Sequence, residues 1–295
     1  MKTDQLFQSI TDRIVAQMEA GVSPWAKPWT ASKAGYEPTL PHNIAGRAYR
    51  GANVAWLWAT AEAMGYDRPI WMTYNQAVEA GGSVRKGEKG THVFFWNFKK
   101  IADEKTGEER QSCFAKAYCV FNIAQVDGVE APAPIVRTQG EVIQIAEDTM
   151  ARTGAAIRHG GDMACYVPSV DMVRLPFRDA FNSLDAYYGT AFHELGHWTG
   201  AKSRLDRQFG KRFGDDAYAF EELVAELTAA FMSGALGLAS EPREDHAAYL
   251  SHWIRILKGD PRAFITAAGK AQAAADFILK CGADEGEEGG FAIAA

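Results

Sequence analysis

What this sequence has little of narrows the reading first. No apolar run reaches the roughly 18–20 residues that a membrane-spanning helix needs. The longest apolar stretch, 227–239, is short and rich in Ala and Gly. The opening segment, MKTDQLFQSITDRIVAQMEAG, is polar and amphipathic and lacks the apolar core of a secretory signal. The expectation is a cytoplasmic protein with no membrane partner. Cysteine is scarce: Cys113, Cys119, Cys165 and Cys281 are the four, and none stand in C-x-x-C spacing, which excludes a zinc ribbon. There is no internal repeat. Nor is there a strong excess of one charge, since 31 Lys+Arg against 37 Asp+Glu leaves −6. The charge is nevertheless uneven. Residues 1–125 hold 15 basic and 12 acidic residues, +3, so the remainder hold 16 and 25, −9. A basic N-terminal half on an acidic chain points to a polyanionic partner.

What is present is an ordinary globular composition, 47% hydrophobic and 23% charged, over a length of 295 residues. That length suits one large domain or two ordinary ones. Leu6, Ile10, Ile14 and Met18 recur at helical spacing, which predicts a first helix capped by Thr3 or Asp4 and ended by Gly21. The Pro- and Gly-rich residues 22–53 read as loop. A helix over 53–65 and a short one within TYNQAVEAGG follow. GGSVRKGEKG is a basic, turn-rich loop, THVFFWNFKK a strand, and CFAKAYCVFNIAQV its returning partner after a charged excursion. Residues 1–126 therefore read as an α+β unit. Residues 127–140 read as a linker, and 141–295 as a second domain. That domain begins with a helix over 141–152. Two strands within 156–176, joined near Gly160-Gly161, come next. A helix capped by Ser183 and another capped by Asp215 or Asp216 follow, with two more over 243–258 and 261–281. From about 282 the tail is acidic and Gly-rich, with too little apolar surface to fold.

Chemistry concentrates in TAFHELGHWTG, residues 190–200. Residues four apart on a helix share a face, so His193 and His197 can aim ring nitrogens at one ion. Glu194 lies one step round and can reach a water on that ion. This is the zincin arrangement, with Glu194 as general base. Gly196 would let another backbone approach closely. A catalytic zinc wants a third protein ligand, and FEELVAELTAAFM supplies the candidates. Glu222 and Glu226 stand at i, i+4, where two like charges repel unless a cation or a histidine N–H compensates. One can bind metal while the other receives the N–H of a ligand histidine. By analogy with zincins whose second helix reads E-x-x-x-D/E, Glu222 is assigned as the ligand and Glu226 as the supporting group, with the exchange of roles left open. Glu221 points to a different face and is the weaker candidate. The expected cofactor is one divalent metal, Zn2+ first, with Mn2+, Co2+ or Ni2+ also compatible with two His and a carboxylate. Hydrolysis would need an oxyanion donor as well. Tyr166, Tyr187, Tyr188 and His159 are open choices.

The N-terminal half interleaves basic and aromatic residues. Arg85, Lys86 and Lys89 precede Phe94, Phe95, Trp96 and Phe98. Trp25, Lys27, Trp29, Arg47, Tyr49, Arg50, Trp56 and Trp58 repeat the theme, and six of the eight tryptophans lie in residues 1–96. Cations neutralise phosphates and exposed aromatic faces stack unpaired bases, which is how sequence-tolerant single-strand binders work. The same aromatics would serve equally as a core beside a solvated basic loop. Lys27, Arg47, Tyr49, Arg50, Arg85, Lys86, Lys89 and Trp96 are the expected DNA contacts.

Longer motifs then match a known family. PHNIAGRAYRGAN, WMTYNQAVEAGGSVRKGEKGTHVFF and YCVFNIAQVDG in the first half resemble the ArdC-type antirestriction proteins, related to the N-terminal region of TraC-type plasmid primases. YVPSVDMVRLP, AFHELGHWTG and YAFEELVAELTAAF in the second half do so too. The resemblance runs over residues 5–280. Ala45 stands where the family's T-G pair has Thr, but Gly46 is retained. The resemblance implies an N-terminal α+β single-stranded-DNA-binding domain followed by a zincin-like metallopeptidase domain. It also implies a plasmid-borne role in protecting incoming DNA from host restriction during conjugation, with a host restriction enzyme or other host protein as a further partner. Priming activity is not implied. Two readings compete with shielding: an active zinc endopeptidase that cleaves a host protein and uses the first domain for targeting, and a protein whose basic half binds an acidic partner other than DNA.

Overall fold

The structure, a computed structural model, describes residues 3–22, 25, 40–102, 109–133, 135–207, 215–239 and 246–282. The side chains of 96–102, 109–114 and 246–248 lie outside that description. Lys27, Trp29, the side chain of Trp96 and the acidic tail are therefore expectations that fall outside it.

The first half is built on α1 (Thr3–Glu19), β1 (His42–Asn43), α2 (Ala52–Met64), β2 (Ile70–Thr73) and α3 (Tyr74–Glu79). β3 (Ser83–Val84), β4 (Thr91–Ala102), β5 (Glu109–Asn122) and β6 (Val126–Asp127) complete it. Its main sheet runs β1-β2-β5-β4, with β1 parallel to β2 and the other pairs antiparallel; β3 and β6 form a separate ribbon. The long hairpin β4–β5 extends further into the charged excursion than composition suggests, pairing Ala102 with Glu109. α2 is buried all round from Ala52 to Ala61, as a helix apolar on every face must be. It covers the outer edge of β4. The buried Asn53 amide donates to Phe94 O at 2.6 Å and accepts from Phe94 N at 3.1 Å, and Trp56 Nε1 donates to His92 O at 2.9 Å. Those edge groups would otherwise be left without partners. Gly46, at φ +82°, keeps the turn that leads Arg47 back to Asn43.

The second half holds α4 (Gln139–Arg152), β7 (Ala156–His159), β8 (Cys165–Val167) and β9 (Met172–Leu175). α5 (Leu184–Thr199), α6 (Asp216–Leu236), α7 (His246–Gly259) and α8 (Pro261–Lys280) follow. The segment read as two strands contains three, in the order β7-β9-β8. Pro168–Val170 forms a 3₁₀ turn and Asp171 takes φ +47°, so the chain folds back and β8 pairs antiparallel with β9. Ser183 and Asp215 cap α5 and α6 through Ala186 N and Tyr218 N.

The fold is α+β. One hydrophobic core includes Leu6, Ile10, Trp58 and Phe94 from the first half with Phe192, Phe231 and Phe264 from the second. α1 lays its apolar stripe against α7 and α8. Thr11 Oγ1 donates to Pro261 O at 2.7 Å, and Trp25 stacks on Phe264 at 6.0 Å. Trp25, Trp56, Trp58 and Trp71 are all buried. Of the two readings left open for the clustered aromatics, core or stacking surface, core is the one found for these four tryptophans.

Candidate metal centre and nucleic-acid face

α5 and α6 lie against each other at Gly196. A Cβ there would sit 3.2 Å from Ala225 Cα and 3.3 Å from Thr228 Cβ, so only glycine permits this approach without a shift. The approach sets α6 carboxylates beside the α5 histidines. His193 and His197 bring their Nε2 atoms to 3.1 Å of each other. Glu222 stands between them, with Oε2 3.5 Å from His193 Nε2 and Oε1 3.5 Å from His197 Nε2. One ligand atom from each of the three lies within 4.8 Å of the other two. All three side chains are largely buried. Two imidazole nitrogens and a carboxylate converging in a buried place are a donor set that suits a divalent cation.

Behind these residues stand two more carboxylates. Glu226 Oε2 lies 3.4 Å from His193 Nδ1, which has no partner in hydrogen-bond geometry, and Glu221 Oε1 lies 3.4 Å from His197 Nδ1. The partnership of Glu221 escaped the sequence reading. It is fixed by Arg207, also buried and also missed. Arg207 donates to the Glu221 carboxylate at 2.7 and 3.0 Å, to Gly196 O at 2.6 Å and to Thr199 Oγ1 at 2.8 Å. No spacing rule links Arg207 to either helix, because it sits in the loop between them.

The charges explain one another. Burial disfavours a cationic His197, but hydrogen bonds to Glu221 and Glu222 outweigh burial and raise its pKa to about 10. Burial pushes Glu222 up, while His193 and His197 together pull it far below the carboxylate range. Glu221 is likewise pushed up by burial and held low by His197 and Arg207. The carboxylate cluster thus retains a proton on His197 that a divalent cation would replace.

Glu194 is 3% exposed, on a helix packed against β8, which is one of the two edge strands of its sheet. Burial, then the Glu194 charge, raises the Cys165 thiol on that strand. The oxyanion choices change. Tyr187 and Tyr188 are fully buried. Tyr188 donates to Glu147 at 2.5 Å, and the Tyr187 hydroxyl lies 2.8 Å from His159 Nε2. Tyr166 donates to Asp171 at 2.8 Å and receives Arg204. The phenol at the site is instead Tyr218, half-buried, which hydrogen-bonds to Glu222 and lies 3.4 Å from the Tyr249 hydroxyl. Its signal was available, since Tyr218 precedes Glu222 by four residues on α6 and so shares its face.

The expected DNA contacts divide. Arg47, Lys86 and Lys89 are exposed, and none forms an ion pair among the described residues. Arg50 is engaged with Asp276 on α8. Arg85 is held by Glu88 at 2.8 Å, Asp127 at 3.4 Å and Ala124 O at 2.5 Å. Tyr49 is 7% exposed, packed 6.2 Å from Phe95, and burial raises its phenol well above the ordinary range. Arg50 and Arg85 thus have protein partners, and Tyr49 offers no open face. No helix of the described residues is long and apolar enough to cross a membrane.

Known proteins match along the same division. The family model for the N-terminal domain of anti-restriction factor ArdC matches residues 4–121, and that for a zincin-like metallopeptidase matches 144–270. An uncharacterised protein of Sinorhizobium fredii, y4eC, is 43% identical over 281 residues, 92% of this chain and 91% of that protein. The DNA primase TraC of Escherichia coli is 39% identical over 295 residues, 92% of this chain but 27% of TraC. Among solved structures, metal-free ArdC of the R388 plasmid aligns with TM-score 0.77 at 41% identity, over 93% of this chain and 96% of that one. Its Mn(II)-bound form aligns with TM-score 0.78 at 39% identity, over 97% and 100%. Likeness at this level over nearly the whole of both chains settles the family, and the chain belongs to the ArdC family of antirestriction proteins.

Proposed function

We propose that this chain is a plasmid-type antirestriction protein that binds single-stranded DNA through its N-terminal half and shields incoming DNA from host restriction in the cytoplasm. In this reading a divalent cation is held by His193, His197 and Glu222. The observation that carries it is the whole-length likeness to the antirestriction protein ArdC of R388. The exposed, unpaired Arg47, Lys86 and Lys89 support it. Cations free of carboxylate partners can each neutralise a phosphate. The Mn(II)-bound form of R388 ArdC supports a divalent ion here. The donor set suits Zn2+ and also Mn2+.

A second reading, peptide hydrolysis, has its own support in Glu194 and the nearby edge strand β8. A peptide paired along β8 would lie across the face that carries Glu194. Glu194 would take a proton from water at a carboxylate oxygen and return it to the leaving amine. The Tyr218 hydroxyl would donate to the carbonyl oxygen as negative charge develops on it. A bound divalent cation would supply Lewis acidity at this place.

Glu194→Gln separates the two. The variant is expected to keep its metal, bind single-stranded DNA like the wild type and still protect DNA from restriction in a transfer assay. Full metal and full DNA binding with protection abolished would overturn shielding in favour of hydrolysis. Absence of DNA binding in the wild type would remove the first reading altogether.

A further inference from the structure

The N-terminal sheet opens into a cavity of about 170 Å³ that shares no residue with the metal centre. Its wall is aromatic. Phe95 on β4 and Tyr118 on β5 meet edge to face at 5.4 Å, and Tyr49 closes on Phe95 from the other side. The register explains the pairing: Phe95 opposes Lys116 and Tyr118 opposes Val93, so all four side chains share one face of the hairpin. Both rings are half-buried, in contact with the core yet open to the cavity.

Two amide groups also line it. Asn43 Oδ1 accepts from the N–H groups of Ala45 and Arg47 at 3.0 and 2.9 Å, and Gln76 Oε1 accepts from Thr73 N at 2.9 Å. These bonds fix which end of each amide is oxygen. They leave Asn43 Nδ2 and Gln76 Nε2 with no protein acceptor among the described residues. Arg47, exposed and without an ion-pair partner among the described residues, lines the cavity, and Lys116, opposite Phe95 on the hairpin, carries its Nζ 5.2 Å from the ring centre of the lining Tyr118.

We infer that this cavity receives one unpaired nucleobase, with Arg47 and Lys116 on the adjoining phosphates; the inference rests on the single-strand-binding reading above. A flat ring between aromatic walls gains stacking whatever its identity. Every base carries ring-nitrogen or carbonyl acceptors that two amide donors can meet, so the slot tolerates sequence. One cation lining the cavity and a second against its Tyr118 wall favour a base joined to phosphate over an aromatic side chain of a peptide.

The test compares two labelled strands of equal length, oligo-dT and an abasic sugar-phosphate strand, on metal-loaded wild type, Ala48→Phe and Arg47→Ala. Ala48 lines the cavity, so the added ring plugs it and removes no core side chain. Arg47 is exposed, so its loss leaves the fold intact, and melting curves and metal content check both variants. Wild type is expected to bind oligo-dT about tenfold more tightly than the abasic strand. Ala48→Phe should erase that preference. Arg47→Ala should weaken both strands alike and flatten the salt dependence. Equal binding of both strands by wild type, or a preference that survives the plug, overturns the slot and leaves single-strand binding standing. No binding of either strand by wild type overturns the underlying reading as well. Binding of N-acetyltryptophanamide to wild type but not to Ala48→Phe, with bound oligo-dT left undisturbed, would assign the cavity to a peptide side chain and overturn it too.

Discussion

The buried centre between α5 and α6 and the basic loops of the N-terminal half use charged side chains under opposite conditions. At the centre every charge answers another: His197 to Glu221 and Glu222, Glu221 to Arg207, His193 to Glu222 and Glu226. In the loops of the N-terminal half, Lys86, Lys89 and Arg47 face solvent without ion pairs among the described residues. Buried charge tolerates only arrangements that are nearly complete, because an unpaired ion there is costly. Exposed charge tolerates almost any arrangement, because water and salt screen it. The centre is therefore over-determined by the fold, whereas the face is determined by what it binds.

The largest effect expected from breaking this contrast is at Arg207. Its guanidinium closes the cluster from outside α5 and α6, and both partners are almost wholly buried. Arg207→Ala leaves Glu221 with His197 as its one remaining cationic partner among the described residues, strips donors from Gly196 O and Thr199 Oγ1, and should cost about 3 kcal/mol of stability. Denaturant titration of the metal-free protein measures it. A loss below about 1 kcal/mol would mean that water already reaches the cluster, and the contrast with the exposed face would collapse. The double change Arg207→Met with Glu221→Met should recover much of the loss, since paired apolar replacement is often close to neutral.

Sequence made the two regions legible to different degrees, for the same physical reason. His193, His197 and Glu222 could be read because helical periodicity converts spacing into geometry, and Gly196 already marked the close approach. Arg207 could not, because its place depends on a loop's path rather than on a period. Tyr218 is readable at i, i+4 from Glu222, but Tyr187 and Tyr188 stand nearer the histidines in sequence and draw attention first. Most helices were set by their caps, as at Ser183 and Asp215. The hairpin β8–β9 escapes a sequence reading because strands of three and four residues give too short a period to see. The aromatic N-terminal half was the most ambiguous. Trp25, Trp56 and Trp58 beside basic residues look like a stacking surface, yet composition does not say which side of a sheet or helix faces water.

A smaller effect sharpens the comparison within the centre. Glu222 touches both histidine Nε2 atoms, whereas Glu226 faces only His193 Nδ1. Losing a carboxylate behind a ligand histidine typically costs 10- to 100-fold in metal affinity. Glu226→Gln should fall in that range, and Glu222→Gln should lose stoichiometric metal. Chelator competition against Zn2+ and Mn2+ reads both. The opposite ranking would exchange the two glutamates' roles.

The smallest expected effect lies on the exposed face, and salt resolves it where stability cannot. Lys86 and Lys89 sit in the loop between β3 and β4 with no carboxylate attached, while Arg85 beside them is held by Glu88, Asp127 and a backbone carbonyl. If Lys86 and Lys89 each neutralise one phosphate of a single strand, each contributes about 0.7 to the slope of log affinity against log salt. Lys86→Ala with Lys89→Ala should flatten that slope by about 1.4, weaken every sequence alike and leave the melting temperature unchanged. Arg85→Ala should move the slope less, because its charge is already countered, and should loosen the turn instead. Equal slope changes for Arg85 and the two lysines would show that Arg85 exchanges its carboxylates for phosphate on binding. The face would then resemble the metal centre more than its free state suggests, with partners that are exchanged rather than absent.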